Sequence, residues 1–453
     1  MFRDRPATVF ALSSAPGRAA VAVIRVSGPS ARPALSLLVS DVPEPRVVAL
    51  RRIVDPVTGD PLDEALVVWF KAPRSETGED IVELQVHGGR AVVSAVLDVL
   101  GRIDGLRPAG PGEFARRAFA NGKLDLTRAE GLADLIDAET EAQRRQALRQ
   151  ASGALHKLYD GWRGRLIDAQ ALVEAAIDFS DEADVATDAF RKGAAIADGL
   201  AQEIDVHLAS GYRGEILRDG FRVVIAGPPN AGKSSLINAL ARRDVAIVSP
   251  EAGTTRDVIE ARLDLGGVPV LIADTAGLRE AVDVGAVESE GMRRTRDRAG
   301  QANLLVWLVD ATAPVWQPPA DLTVQGISLL VVVNKVDLFR TEDRGDQRTT
   351  PIPDAIISAK TGEGVDDLVH QLGELAKAAV PDGDSVIPTS ARQREHLGGA
   401  LAALHHFRVG EVAEPELRAE DLRLAASELG RITGRVDPED VLDRVFARFC
   451  IGK

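Results

Sequence analysis

The sequence predicts an α/β multidomain protein: an N-terminal α/β domain, a helical domain discontinuous in the chain, and a P-loop domain inserted into it. Three observations predict this. Residues 1–118 mix short apolar runs with turn residues, whereas glycine and proline become rare through 139–179 of a helical stretch, 119–215. Strand and helix signals then alternate over 216–381, as in a mostly parallel sheet. Helical texture returns over 382–453, so the two flanks read as one domain, with the ends of the insert close together.

Composition sets the outer limits. A chain of 453 residues suggests about three domains. With 54 Lys and Arg against 68 Asp and Glu, the net charge of −14 argues against a non-specific nucleic-acid coat, which needs a basic surface, though not against a local basic patch. A hydrophobic fraction of 45% suits a folded globular chain. The single cysteine, Cys450, forbids an intramolecular disulfide and fits a reducing compartment. No run of about 18 apolar residues suggests a membrane span, and the N-terminus lacks a signal-like apolar region. A cytoplasmic protein is expected.

The N-terminal elements follow from alternation and punctuation. The segments 21–26 (VAVIRV), 65–70 (ALVVWF) and 81–86 (IVELQV) read as strands separated by glycine and proline turns. Thr127 and Glu130 have the spacing of a capping box, and Leu132, Leu135 and Ile136 follow at helical spacing. The Pro-rich 313–319 and the charged 340–350 read as surface loops.

The chemistry concentrates in the insert. Strand 221–226 runs into Gly227-Pro-Pro-Asn230-Ala231-Gly232-Lys233-Ser234-Ser235, a GxxxxGK[ST] loop between a strand and a helix that carries Leu236, Ile237 and Leu240. Its backbone N–H groups would curl round phosphates at a helix N-terminus, Lys233 would reach the β- and γ-phosphates, and Ser234 would ligate Mg²⁺. Further on, strand 329–333 ends in Asn334-Lys335-Val336-Asp337. A carboxylate at Asp337 can accept from guanine N1–H and N2–H, a donor pair adenine lacks; Asn334 can add a contact to the ring edge, and the Lys335 stem can cover the base. Ser358-Ala359-Lys360 would bring a backbone N–H near guanine O6. In this order the motifs resemble the small GTPase superfamily, so the ligand expected is GTP.

Between them, Asp274-Thr275-Ala276-Gly277 ends strand 268–274, where Asp274 would hold Mg²⁺ through water and Gly277 would sense the γ-phosphate. Thr255, in Gly253-Thr254-Thr255-Arg256-Asp257, is the candidate switch hydroxyl on Mg²⁺. The residue after Gly277 is Leu278, which cannot orient a water as glutamine does, so hydrolysis needs another orienting group. Glu280, Asp283, Glu288 and Glu290 are the candidates.

Residues 227–277 together with the C-terminal Phe449-Cys450-Ile451-Gly452-Lys453 resemble the MnmE (TrmE) family of tRNA-modification GTPases. The likeness extends over 15–29, 78–89, 111–138, 177–182 and 429–436, essentially the whole chain. It implies an N-terminal domain like those that bind tetrahydrofolate, which forms a homodimer, and a Ras-like G domain that meets its copy when GTP and K⁺ are bound. It implies, too, a heterotetramer with an FAD protein, MnmG (GidA), that adds an aminomethyl-type group to C5 of the tRNA wobble uridine from a 5-formyl- or methylene-tetrahydrofolate.

Carried onto this sequence, the resemblance places K⁺ on Asn230, Ser249, Glu251 and Thr254, with Ala252 and Gly253 in the same nucleotide loop. The ion would supply the counter-charge an arginine finger supplies elsewhere. Glu288 maps to the water-orienting glutamate, with Glu290 the alternative, because two extra residues stand between Asp283 and Ala286. The folate site maps to Arg25, Glu83, Lys123 and Lys453. From the residues alone, Arg25 reads as half of an edge-strand ion pair. Cys450 reads as a small buried hydrophobe or as a thiol near the folate whose role stays open between nucleophile, acid–base group and positioning. Two rivals stand beside this reading: a GTP switch in ribosome assembly, and a one-carbon transferase that uses GTP only for assembly.

Overall fold

The computed structural model describes residues 7–179, 181–243, 245–247, 260–274, 302–320, 322, 327–338, 352–381, 385–409, 415–436, 439–449 and 451–452. The chain divides into two compact units: residues 1–133, 150–197 and 406–453, and residues 134–149 and 198–405.

The first unit opens with β1 (Thr8–Leu12), β2 (Val21–Ser27), α1 (Ala31–Leu38), β3 (Ala49–Val54), β4 (Pro61–Phe70), β5 (Ile81–His87), α2 (Arg90–Gly101) and β6 (Leu106–Pro108). The six strands form one sheet in the order β3-β4-β5-β2-β1-β6, antiparallel except where β1 meets β6. In β2 the alternation does its expected work. Ala22, Ile24 and Val26 pack with Leu35 of α1 and Val96 and Leu100 of α2, while Arg25 lies on the opposite face. β2 lies inside the sheet, between β5 and β1, so the expected edge-strand setting of Arg25 is corrected.

The helical stretch runs through α3 (Glu113–Ala120), α4 (Leu126–Asp137), α5 (Glu141–Ala151), α6 (Ala154–Asp178) and α7 (Ala183–Asp219). The expected capping box is also corrected. α4 begins one residue before Thr127, and Asp125 caps it: its carboxylate accepts from the Arg128 N–H at 3.0 Å and from the Thr127 hydroxyl. An aspartate two residues earlier offers the orphan N–H groups a charged acceptor, which outcompetes a hydroxyl already inside the first turn.

The second unit is built on β7 (Phe221–Ala226), α8 (Lys233–Ala241), β8 (Glu260–Leu265), β9 (Val268–Asp274), β10 (Leu304–Asp310), β11 (Ser328–Asn334), β12 (Ala355–Ile356) and α9 (Val365–Ala379). The order is β12-β11-β10-β7-β9-β8, parallel except for the β8–β9 hairpin. Leu236, Ile237 and Leu240 of α8 and Leu368 and Leu372 of α9 cover one face; Trp307 and Val309 belong to the core on the other. The chain reverses strand order at β7, where α/β sheets place ligands beyond the carboxyl ends of their strands. Near the module's two ends, Arg213 of α7 donates to the Val380 carbonyl at 2.6 Å.

The chain closes with α10 (Ala391–Val409), α11 (Pro415–Thr433) and α12 (Glu439–Phe446). Within the first unit, α11 packs along α6. The buried Arg418 of α11 lies over the rings of Phe190 and Phe407, at 4.5 and 4.7 Å, and donates to the Phe407 carbonyl. Phe446 and Phe449 pack with Leu126 and Ala129 of α4.

Candidate functional site

Among the described residues, four loops leave the carboxyl ends of the parallel strands β7, β10, β11 and β12, and one buried side chain ties three of them together. Asn334, the last residue of β11, is 2% exposed. Its amide donates to the Ala231 carbonyl in the phosphate loop at 2.8 Å and accepts from the Ala359 N–H at 2.9 Å. These bonds brace the loop after β7 against the loop after β12. Each is worth about 1 kcal/mol net, and losing the side chain would strand the buried Ala231 carbonyl, at about 1–3 kcal/mol, and the part-buried Ala359 N–H, at less. Both ends of Asn334 are thus turned to protein, a bracing role that the motif alone did not reveal.

The phosphate loop has the backbone its sequence requires. Asn230 and Gly232 have φ of 65° and 96°, and a Cβ on Gly232 would run into the Asn334 amide. Only glycine allows both the left-handed turn and this close approach. The Lys233 ammonium donates to the carbonyls of Gly227 and Pro228 at 2.9 and 3.1 Å, which holds it inside the turn. Ser234 and Ser235 follow in the exposed first turn of α8. A cradle of this shape, with a lysine inside and a helix N-terminus behind it, fits a nucleotide's phosphates.

The base side is similarly pre-set. Lys335, with φ of 71°, reaches across to Asp310 at the end of β10, Nζ to Oδ2 2.6 Å. Burial pushes the Asp310 carboxyl up, but Lys335 and the hydroxyl and N–H of Thr312 outweigh it and hold the group below its ordinary range. Asp337 accepts from the Ser358 hydroxyl at 2.7 Å, which fixes the carboxylate, and Lys360 lies exposed at the rim. Asp310 was missed in the sequence. Its signal was there: Asp274, Asp310 and Asn334 each end an apolar strand, and Asp310 and Asn334 are register partners.

A second cluster lies on the N-terminal sheet. Arg25 and Glu83 are directly opposed on β2 and β5, and Nη2 meets Oε1 at 2.9 Å, with Nε at 3.1 Å. Arg25 Nη1 pairs with Glu76 at 2.8 Å, and the guanidinium lies 5.7 Å over the ring of Phe114. The side chains of Arg25 and Glu83 are 17% and 19% exposed, so this pair is screened far less than a surface one. Lys123 lies along the loop that carries Glu76, its stem 3.3 Å from where a side chain on Gly78 would begin. A cavity of about 300 Å³ opens beside Glu83 and Glu76. The paired donors and acceptors, with the cavity next to them, suit a flat heterocycle bearing its own donor–acceptor edge. Glu76 was not anticipated; it sits in a turn-rich stretch with no strand pattern to fix its direction.

Residues 8–123 match the family described as GTP-binding protein TrmE N-terminus, and residues 126–450 match the MnmE helical domain. The chain is 53% identical over 456 residues to the tRNA modification GTPase MnmE of Parvibaculum lavamentivorans, covering 98% of this chain and 100% of that protein. The chain belongs to the MnmE family of tRNA modification GTPases. It is 53% identical over 451 residues to the MnmE of a Methylobacterium species, covering 98% and 99% of the two chains. It is also 49% identical over 467 residues to the human mitochondrial 5-taurinomethyluridine-[tRNA] synthase subunit GTPB3, covering 99% and 93%. As a member of the MnmE family it is a GTP hydrolase, with a P-loop G-domain architecture.

Several expected MnmE-type residues lie outside the described residues: Ser249, Glu251, Ala252, Gly253, Thr254, Thr255, Thr275, Ala276, Gly277, Glu280, Asp283, Glu288, Glu290, Cys450 and Lys453. Asp274 ends β9 as expected. The neighbours of Cys450 and Lys453 are described. Ile451 bridges to Pro111, and the Gly452 carbonyl accepts from the Ser13 hydroxyl at 2.8 Å. Gly452 has φ of 101°, and a Cβ there would meet the Leu12 carbonyl, so glycine is required for the tail to dock on the end of β1.

Proposed function

We propose that this chain is a potassium-stimulated GTPase that modifies C5 of the wobble uridine in tRNA. It would add an aminomethyl-type group (carboxymethylaminomethyl), with a 5-formyl- or methylene-tetrahydrofolate as one-carbon source, acting as a homodimer with an FAD protein of the MnmG (GidA) type. The observation that carries the reading is the Asn334 brace, which assembles a phosphate loop, an NKxD turn and an SAK turn as one unit in a chain about half identical to named tRNA modification GTPases. The human relative is named as a subunit, which supports a partnered enzyme.

In this reading residues 216–381 form the G domain. Asp337 accepts from guanine N1–H and N2–H, Asn334 holds the loop and the ring edge in place, and the Lys335 stem covers the base. Lys233 neutralises the β- and γ-phosphate oxygens. Ser234 and Thr255 would hold Mg²⁺, which offsets charge on the phosphates when bound; Asn230, Ser249, Glu251 and Thr254 would hold K⁺. Glu288, or Glu290, orients the attacking water. Arg25, Glu83, Lys123 and Lys453 hold the folate, with Cys450 beside it.

The test is genetic and chemical. Delete the gene, complement with the wild type, and quantify C5-modified wobble uridines by nucleoside mass spectrometry. Loss on deletion and recovery on complementation are expected. Persistence of the modification after deletion, with no second copy of the gene, would overturn the reading in favour of a ribosome-assembly switch.

A further inference from the structure

The cavity beside Glu83 is lined by two arginines that the folate residues above leave unused. Glu76, Glu83, Arg46 and Arg74 line it together, and Phe70 and Ile81 supply its apolar surface. The two carboxylates are already matched, because Arg25 pairs with both. The two arginines are not: among the described residues neither Arg46 nor Arg74 pairs with a carboxylate. Instead the Arg46 guanidinium stacks 5.5 Å from the centre of the Phe70 ring and donates to the Arg74 carbonyl. Arg46 also has φ of 68°, an unfavourable backbone for a long side chain, and its N–H is fixed to the Trp69 carbonyl at 2.8 Å. The ring of Phe70 and the Arg74 carbonyl hold its guanidinium at the cavity.

The cavity is therefore asymmetric. Its two carboxylates share the one Arg25 guanidinium and offer hydrogen-bond acceptors; Arg46, over the Phe70 ring, and Arg74 bring positive charge that neither carboxylate meets. A ligand that matches both kinds of group carries a hydrogen-bonding heterocycle, an aromatic body and a carboxylate. We propose that Arg46 and Arg74 form a carboxylate subsite that takes the glutamate tail of the reduced folate whose ring end lies at Glu83. This rests on the folate reading of that site.

The test uses the full-length chain and isothermal titration with two probes: 5-formyltetrahydrofolate, which carries the glutamate tail, and 6-methyltetrahydropterin, which has the ring and no tail. For the double variant Arg46→Gln with Arg74→Gln, affinity for the tailed probe should fall about tenfold or more while affinity for the tail-less ring stays within about twofold. Arg74→Gln alone should reproduce part of this loss, and because Arg74 is exposed it guards against a folding artefact at Arg46. A triglutamate form should bind the wild type more tightly than the monoglutamate, and the double variant no more tightly. Equal losses for both probes, or no loss for either, would overturn the subsite and leave the folate reading standing. If the wild type binds neither probe, the folate reading itself fails and the subsite fails with it.

Discussion

The two sheets of this protein build sites in opposite ways. In the parallel sheet the functional groups come from turns at the carboxyl ends of β7, β10, β11 and β12, and those after β7, β11 and β12 are short contiguous motifs. In the antiparallel sheet they come from the middle of β2 and β5, joined by a residue from a loop, Glu76, and meet only because the register sets Arg25 opposite Glu83. A site made of end-of-strand turns takes much of its binding from backbone N–H groups, so a motif can announce it. A site made across strands takes its binding from side chains whose meeting depends on register, and no local pattern announces that.

Variants should therefore act differently in the two places. The largest effect is expected for Asn334→Ala, which strands the Ala231 carbonyl and the Ala359 N–H. The nucleotide-free protein should lose about 2–4 kcal/mol in the second unit and GTP affinity should collapse; a calorimetric scan and nucleotide titration would show both. An unchanged melting profile would mean that the turns assemble independently of the brace. Gly232→Ala should come next, because a left-handed alanine costs about 1–2 kcal/mol and its methyl pushes on Asn334. Nucleotide affinity should fall at least tenfold, with the N-terminal cluster unaffected.

Glu83→Gln should destabilise the first unit by about 1–3 kcal/mol, leaving Arg25 with only the half-exposed Glu76. GTP turnover should not change. Asp310→Asn should be milder: Lys335 loses its anchor, so GTP affinity should drop several-fold while turnover at saturating GTP holds. A fall in saturated turnover would place Asp310 nearer the chemistry than its geometry indicates.

The smallest effect concerns pH. Burial pushes the Glu113 carboxyl up, but the Arg107 guanidinium, the Gly110 N–H and Arg117 outweigh it and bring it down to about 2. A depressed carboxylate contributes stability above its unfolded value, and the contribution fades as pH falls through the window from about 4.5 towards 2. Glu113→Gln should thus be slightly less stable than the wild type at neutral pH, by a margin that solvent screening keeps small, and the gap to the wild type should narrow on acidification to pH 3. A gap that stays constant would assign the loss to packing.

These contrasts also show what could be read in advance. The strand–loop–helix at 221–241 and the strand ending in Asn334 are where periodicity and motif predict them. Local alternatives were harder to rank: Thr127 and Asp125 both offer a cap, and the charged one won. Arg25 was legible as a charge needing a partner but not as part of an interior strand, because strand order is set by pairings far apart in sequence. Asp310 escaped because Lys335, its ion-pair partner, lies 25 residues along the chain and meets it only through the β10–β11 register.

The most direct test of two sites joined in one function is to compare Glu83→Gln with the wild type in GTP turnover and in wobble-uridine C5 modification, the latter by nucleoside mass spectrometry in the complemented deletion strain. Wild-type GTP turnover with the modification lost is the expected result. Wild-type levels of the modification in Glu83→Gln would contradict a role for the N-terminal cluster in the reaction.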